Sequence, residues 1–460
     1  MSQGVSTTAN SAHVPIAEAL GAWCAALEWG DIPPAVQATV PLRILDHVGL
    51  LFAGAATDAG HIALAYAKAT GGAPEAILVG ERIRLPAAAV ALAHGTLAHC
   101  RDFDDTFMDS VVHPGSVVVA ATLAVAMQID ASADDFAAGV VAGYEVAARI
   151  GAVAGRRFHA RGMHATGLVG PIAAAAACAR VRRLSAPQTT GAMGLAASMS
   201  SGLMAFMADG GWSKWLHAGW AAHGGCVAAG LAAQGFRGPA HVLDGGADLY
   251  SAMLHGETLD RSIITAGLGT QWRGVEAQYK YYPCAHVIQP YLDALLAVVN
   301  ERNLRPADVR SVCCVIAPWA AAIVCEPRAD KLRLESELDA IASLPYQLAH
   351  ALTERCVGLD ALSPAVRERV DLRALAQRIV HRTDPALGRG FDGAIEIELA
   401  ANGERIVRAT HSASADATRL CGKFELLGAP ALGRQGAVAA ARLLAHSHDW
   451  RTVTDILEGA

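Results

Sequence analysis

Charged side chains are scarce in this sequence. Asp, Glu, Lys and Arg make up 17% of its 460 residues, and only five of the 37 basic residues are lysines. The net charge of −6 comes without a basic stripe, which argues against a nucleic acid or an anionic membrane surface as a partner. We therefore predict a small-molecule partner.

Aromatic residues are also few, at 5%, and Ala and Gly dominate where a β-rich protein would have Val, Thr and aromatic side chains. This composition favours closely packed helices. The ten cysteines show no CxxC pair and no metal-ligand spacing. Reduced, buried thiols are therefore expected rather than disulfides or a zinc site.

Signals for export, membrane insertion and nucleotide binding are missing as well. The first fifteen residues have neither the basic nor the apolar segment of a signal peptide. The longest apolar runs, such as GSVVVAATLAVAM, are shorter than the roughly 20 residues that cross a bilayer. Phosphate-binding glycine loops, the GxSxG elbow and HExxH do not occur. We predict a cytoplasmic protein without a cofactor or a metal.

The spacing of apolar residues predicts a mainly α fold. Segments with a period of 3.6 residues run from about Val14 to Ala266, and only a short predicted hairpin, AILVGERIRLP, interrupts them. After Gly269 the pattern changes to a compact α+β unit. Its predicted elements are the strand VRSVCCVIAP, the helices ASLPYQLAHALTERC and RERVDLRALAQRIV, and the hairpin AIEIELAANGERIVRAT.

The length of the chain exceeds the usual size of one hydrophobic core, so two domains are expected. Residues 1–268 are predicted to form most of a large all-helical domain, and residues 269–411 a smaller α+β domain. Residues 412–460 are again helical in pattern and are expected to return to the first domain.

One segment, HCRDFDDTFMDSVVHPGS, concentrates four aspartates and two histidines. Asp102, Asp104 and Asp105 cannot all face one way, so one or two of them are expected to cap helices or bind a buried Arg. At least one is a candidate for a site, where it would orient an imidazole or a substrate hydroxyl, and His113 is the accompanying imidazole. The alternative is that these aspartates only cap helices and that His113 is a hydrogen-bonded histidine of the core.

His164 directly precedes a Gly/Ala-rich helical segment. The first backbone N–H groups of such a helix favour an anion, for example a substrate carboxylate. The helix dipole would also lower the imidazole pKa and help His164 act as a neutral base. A helix cap or a surface histidine is the alternative.

Lys214, in WSKWLH, and Lys280, in YKYYP, are the two lysines that lie among clustered aromatic residues. Lys280 is near the predicted domain junction, where small-molecule sites are common. A desolvated ammonium group binds a carboxylate or, with a lowered pKa, transfers a proton; surface lysines beside a tryptophan core are the alternative. Tyr346 is a further candidate, although a phenol on an apolar helix commonly belongs to the core. Together these residues indicate cofactor-free acid/base chemistry on a carboxylate-bearing substrate.

Six motifs follow one another in an order that strongly resembles the MmgE/PrpD family, over about Val14 to Gly459. They are HGTLAHCRDFDDT with VVHPGSVVVAATLAVA, GYEVAARIG, GMHATGLVGPIAAAAA, GGWSKWLHAGWAAHGG and YKYYPCAH. The resemblance implies an all-helical domain built from both ends of the chain, a smaller α+β lid domain, and a homodimer without metal or organic cofactor. Carried over by motif, the family's site falls on Asp102, Thr106, His113, His164, Lys214, Lys280 and Tyr346.

Members of that family include 2-methylcitrate dehydratase, cis-aconitate decarboxylase and iminodisuccinate epimerase, which all form or protonate a carbanion beside a carboxylate. The resemblance therefore implies that His164 or Lys214 transfers the proton at carbon, while Lys280, His113 and Lys214 bind carboxylates. Asp102 would orient His113 or a substrate hydroxyl.

A hydro-lyase acting on a hydroxylated di- or tricarboxylate is the expectation that follows. Thr106 would donate one neutral hydrogen bond to this substrate, and Asp104 and Asp105 are assigned to structure. Epimerisation of an imino- or amino-dicarboxylate, decarboxylation, and carboxylate binding without turnover stay open as alternatives.

Overall fold

The computed structural model of the protein describes residues 14–459. The expectation that no signal peptide is present falls almost wholly on residues 1–13, which lie outside the described residues. The described part of the chain confirms the predicted class, a mainly α fold with a smaller α+β part.

Helices make up the first part of the chain, with one two-stranded hairpin among them. The helices are α1 Ile16–Ala26, α2 Pro34–Gln37, α3 Thr39–Ala55, α4 Asp58–Thr70, α5 Ala87–His99, α6 Gly115–Ile129, α7 Ala133–Ala154, α8 Arg157–Ala160, α9 Ala165–Val181, α10 Ala186–Ala197, α11 Phe206–Asp209, α12 Ser213–Ala233 and α13 Leu249–Met253. The predicted hairpin consists of β1 Ala76–Ile77 and β2 Arg84–Leu85, which pair antiparallel.

The α+β part follows, and two long helices end the chain. The elements are α14 Gln289–Arg302, β3 Val309–Ile316, α15 Pro318–Val324, α16 Arg328–Arg333, α17 Glu337–Ile341, α18 Leu344–Glu354, α19 Pro364–Arg367, α20 Val370–Ala376, β4 Ile379–Thr383, β5 Gly393–Leu399, β6 Arg405–Thr410, α21 Ala417–Leu444 and α22 Trp450–Gly459. Helix α21 is interrupted at Gly433, which has a φ of 70° and a ψ of 158°.

Small residues let the central helices α5, α9 and α12 approach one another closely. A Cβ atom at Gly219 of α12 would lie 2.1 Å from Thr96 Oγ1 and 2.2 Å from Leu92 O of α5, and one at Gly225 would lie 2.3 Å from the Ala174 Cβ of α9. Side chains larger than hydrogen do not fit at these two positions. The close packing places the end of α5, where the aspartate-rich segment begins, beside the start of α12.

Two helical segments, Pro34–Ala55 and Ala133–Ala154, are long and apolar enough to cross a bilayer by length and composition, at 22 residues each. Both segments contain charged residues, so neither is an uninterrupted apolar run, and the expected absence of a membrane partner stays a prediction. Burial covers 94% of the apolar stretch in the second segment and 72% in the first. Core helices of this kind pass the same length test, so the finding is weak support for a membrane span.

The sheet has the strand order β4-β3-β5-β6. Strand β3 pairs parallel with β4 and antiparallel with β5, and β5 and β6 form the predicted hairpin. The prediction of one helix over RERVDLRALAQRIV is wrong at both ends, because Arg367 ends the separate helix α19 and Ile379–Thr383 is strand β4, which leaves helix α20 only Val370–Ala376. The residues of β4 pair with the edge of β3, a long-range contact that overrides the local helical pattern.

Two large hydrophobic cores divide the described residues. One includes residues between 16 and 279 together with residues between 420 and 457, and the other includes residues between 284 and 397. Helix α21 packs on α3, with the rings of Phe52 and Phe424 6.3 Å apart. The domain limits given above, at 268 and 411, stay a prediction.

Candidate active site

A cavity of about 360 Å³ is lined by residues of both the helical and the α+β parts. Such a size fits a small organic ligand. Six of the seven site residues expected from the sequence line it: Asp102, Thr106, His113, His164, Lys214 and Lys280. Tyr346 is absent from this lining.

The segment between α5 and α6 carries three of these residues and is fixed by an isolated antiparallel bridge. Thr106 and Gln278 exchange two backbone hydrogen bonds, each 2.9 Å long. The bridge brings the chain around Lys280 alongside Asp102, which has a φ of 46°. Asp and Asn tolerate this left-handed backbone better than other side chains.

Asp102 lies between the two lysines. Its Oδ2 atom is 2.8 Å from Lys214 Nζ, and its Oδ1 atom is 2.8 Å from Lys280 Nζ. Burial alone would raise the pKa of Asp102, but the two ammonium groups outweigh it and hold this pKa below its usual value. Two cations against one carboxylate leave a net positive charge that attracts an anionic substrate.

Burial acts on Lys214 in the opposite sense. It lowers the pKa of the ammonium group, and Asp102 offsets part of this effect. A lysine whose pKa is lowered is a better proton donor near neutral pH than an exposed lysine. This supports the interpretation of Lys214 as either a carboxylate ligand or a proton-transfer group.

His113 is oriented by Asp104, which corrects the first of the two roles expected for Asp102; the other, orienting a substrate hydroxyl, stays a prediction. The Nδ1 atom of His113 lies 3.3 Å from Asp104 Oδ1 and 3.1 Å from the carbonyl oxygen of Asp105. Asp102 is farther away, at 3.9 Å from His113 Nε2. Because Nδ1 faces two acceptors, we assign its proton there, which leaves the Nε2 lone pair for the cavity. Burial lowers the pKa of His113 to about 4 although Asp104 favours the charged form.

Sequence reasoning missed His99 as part of this cluster. Its Nδ1 atom is 2.8 Å from Asp104 Oδ2, and its ring lies 4.7 Å from that of His113 and 5.7 Å from that of His164, between centroids. His99 is the first residue of the aspartate-rich segment, and this position could have identified it. It also ends an apolar helix, however, where a lone histidine is commonly part of the core.

His164 is the N-cap residue of α9, as the sequence predicts. Its Nδ1 atom lies 3.1 Å from Nδ1 of His217, a second residue that the sequence analysis did not assign to the site. His217 is one helical turn after Lys214, a spacing that places both on one face of α12. Burial is the largest cause that lowers the pKa of His164, followed by the nearby histidines and Lys214. The direction is the one that the sequence predicts for a neutral base.

Tyr346 contacts a different part of the protein. Its hydroxyl donates a hydrogen bond to the carbonyl oxygen of Ala361, and its ring is buried in a small core with Leu334, Leu362 and Leu372. Burial raises the pKa of the phenol to about 12. The structure does not bring Tyr346 together with the other six residues, because its only polar atom is used inside that small core.

Two overlapping groups in the described residues could hold a metal ion. Ligand atoms of His99, His113 and His164 lie within 4.8 Å of one another, as do those of His99, Asp102, Asp104 and His113. The Nε2 atom of His99 has no hydrogen-bond partner among the described residues. Imidazoles oriented by a carboxylate are common metal ligands. The predicted absence of a metal therefore stays a prediction.

The comparisons with known proteins agree with this architecture. The MmgE/PrpD N-terminal domain matches residues 18–262, and the MmgE/PrpD C-terminal domain matches residues 282–435. A cis-aconitate decarboxylase-like protein, oryM, of Aspergillus oryzae is 29% identical over 231 residues, which are 47% of this chain and 48% of that protein.

Two further relatives carry the name cis-aconitate decarboxylase. The Homo sapiens protein is 31% identical over 44% of this chain and 42% of its own length. The Aspergillus terreus protein is 25% identical over 63% of each chain. The chain thus spans roughly half the length of the curated relatives it matches.

Proposed function

Because the chain belongs to the MmgE/PrpD family, we propose that it is a lyase that forms a carbanion beside a substrate carboxylate. The reaction we propose is the dehydration of a hydroxylated carboxylic acid with two or more carboxylates. The observation that carries this proposal is the convergence of two buried ammonium groups and several imidazoles on one cavity.

The positive end of the cavity supplies the electrostatic part of the mechanism. Lys214 and Lys280 outnumber Asp102, so a substrate carboxylate placed beside them is stabilised as proton loss from the neighbouring carbon spreads charge onto its oxygens. Because the two lysines are already fixed by Asp102, little reorganisation is needed during the reaction.

The paired imidazoles supply the proton transfer. Since the Nδ1 atoms of His164 and His217 are 3.1 Å apart, one must donate and the other accept. When His217 donates, the Nε2 atom of His164 carries a proton and acts as an acid; when His164 donates, its Nε2 atom acts as a base. We propose that this pair transfers the proton at carbon, and that His113 and Thr106 bind the substrate.

Decarboxylation is the second candidate, because the relatives described above are named cis-aconitate decarboxylases. The same charged groups would stabilise the carbanion left by CO₂. Epimerisation by return of the proton to the other face is the third reaction that these groups can support.

A proton NMR time course in D₂O separates the three reactions. The substrates are citrate, 2-methylcitrate, cis-aconitate, malate and iminodisuccinate, added to the wild type, to His164→Gln and to the control His61→Gln, in which an exposed histidine is changed. We expect exchange of a C–H next to a carboxylate, or a new vinyl signal, in the wild type and the control. His164→Gln should be about 10²–10⁴ times slower.

The product identifies the reaction as elimination, loss of CO₂ or epimerisation. The absence of both exchange and product with all five acids, and also with the substituted malate described below, would refute the lyase proposal. Activity that survives dialysis against a chelator would support the absence of a metal, whereas loss of activity and its recovery with a divalent ion would point to the imidazole cluster. We also propose a cytoplasmic homodimer that binds neither nucleic acid nor membrane.

A further inference from the structure

The cavity has a polar end and an apolar end. The charged and imidazole groups described above line one end. Another part of the lining is mostly hydrocarbon: the rings of Trp319 and Phe391 lie 5.2 Å apart there, and Met207, Ile323 and Ile341 are further apolar lining residues. Substrate carbon atoms placed against these side chains are removed from water, which is favourable, whereas a charge placed there loses its hydration.

The positive charge of the cavity is too small for three carboxylates. Besides Lys214 and Lys280, which share Asp102, Arg156 is the one other Lys or Arg among the described lining residues.

Arg156 also connects parts of the cavity wall. Its guanidinium carbon lies 3.5 Å from the ring centroid of Trp319, and its NH2 group donates 2.9 Å hydrogen bonds to the carbonyl oxygens of Met108 and Arg389. The guanidinium thus connects the aspartate-rich segment to the α+β part. Three cations, Lys214, Lys280 and Arg156, against the carboxylate of Asp102 leave two net positive charges in the lining, which balance two substrate carboxylates rather than three.

We infer that the substrate is a carboxylic acid that carries a branched alkyl or aromatic group where a tricarboxylate has its third carboxylate. This inference rests on the proposed function, since it assumes that the same cavity binds the reacting acid. The carboxylates lie beside Lys214, Lys280 and His113, and the apolar group lies against Trp319, Ile323 and Phe391.

Binding of two unreactive succinates tests this inference directly. Benzylsuccinate and tricarballylate share the succinate part and differ in one substituent, a benzyl or a carboxymethyl group. Titration calorimetry at pH 7 should give a Kd for benzylsuccinate at least about 100-fold lower, because each buried methylene contributes about fourfold. Equal affinities, or tighter binding of tricarballylate, would overturn the inference.

A charged variant tests where in the cavity the apolar group of the ligand binds. Ile323→Lys adds an ammonium group at a partly exposed lining position, and Val407→Lys adds one at an exposed position on β6 outside the lining. Circular dichroism verifies that both variants fold. We expect Ile323→Lys to move the affinity ratio toward tricarballylate by at least about tenfold, and Val407→Lys to leave it unchanged. An unchanged ratio in Ile323→Lys would contradict the assigned position.

Turnover separates this inference from the proposed function. In the NMR assay, 2-benzylmalate should react with a higher kcat/KM than citrate. Faster turnover of citrate would overturn the inference while the lyase function stands. Preferential binding of benzylsuccinate without any turnover would support the ligand class and count against the lyase function.

Discussion

The three aspartates of the DFDDT motif bind three different kinds of partner. Asp102 binds the lysines and Asp104 binds the imidazoles of His99 and His113. Asp105 accepts hydrogen bonds from the Gly115 backbone N–H and from the Tyr144 hydroxyl, at 2.8 and 2.7 Å. At the residue scale, neighbouring identical side chains therefore have separate roles. Asp104 contributes to the site by orienting the rings of His99 and His113.

Replacing Asp102 tests the charge balance at the polar end. Asp102→Asn keeps the shape but removes the charge, so we expect kcat/KM to fall by about 10²–10⁴. The attraction that favours protonated Lys214 is lost, so the pKa of Lys214 falls further. If Lys214 must be protonated for activity, the basic limb of the pH–rate profile moves to lower pH.

The control for this variant is Asp130→Asn, because Asp130 is an exposed aspartate that also has a positive φ. It should leave rate and profile unchanged. A basic limb that stays in place in Asp102→Asn would show that Lys214 is not the group that titrates.

At the element scale, helix α21, the second-last helix of the described residues, supports the site through Lys423. The Nζ atom of Lys423 lies 2.6 Å from Asp46 Oδ1, 2.7 Å from the carbonyl oxygen of Phe103 and 3.0 Å from that of Lys280. One buried ammonium group thus connects α3 to both segments that carry Asp102 and Lys280. The end of the chain holds the polar end of the cavity in place.

Removing this ammonium group should destabilise the whole protein. Lys423→Met leaves the Asp46 carboxylate buried without a partner, and we expect the free energy of unfolding to fall by about 3–5 kcal/mol in urea denaturation. The double variant Lys423→Met/Asp46→Asn should recover part of this loss. Lys68→Met breaks an exposed pair with Glu81 and should cost less than about 1 kcal/mol. Equal losses of unfolding free energy in Lys423→Met and Lys68→Met would refute the claim that burial makes the Lys423 pair the more important one.

At the scale of the whole molecule, an apolar stripe on α12 is exposed in the single chain. Trp212, Leu216 and Trp220 follow one another at intervals of four residues and are 46%, 48% and 44% exposed. Residues with this spacing share one face of a helix. A second copy of this chain would bury the stripe, and the same helix carries Lys214.

In sedimentation velocity at micromolar concentration, we expect the wild type to be a dimer and the double variant Leu216→Glu/Trp220→Glu to be a monomer. Four introduced charges in a symmetric interface cannot be buried without partners. Val370→Glu, at an exposed site on α20, should remain a dimer. A monomeric wild type would refute the dimer itself, and a dimeric double variant would refute this interface.

Local patterns determined which parts of the fold and site could be predicted. Helix periodicity and the Asn402-Gly403 turn depend on residues a few positions apart, so the class of the fold and the hairpin β5–β6 follow from the sequence. Residue types in a charge-poor chain likewise identify Asp102, His113, His164, Lys214 and Lys280 as candidates.

Only the tertiary structure decided the partners of those residues. Asp102 and Lys280 are 178 positions apart, and no local rule predicts their contact. The packing of distant segments places Tyr346 in a separate core. It also brings His113 to Asp104 rather than to Asp102, and His99 and His217 into the cluster. The physical reason is that periodicity is a property of neighbouring residues, whereas charge pairing, pKa values and the apolar end of the cavity depend on desolvation by distant parts of the chain.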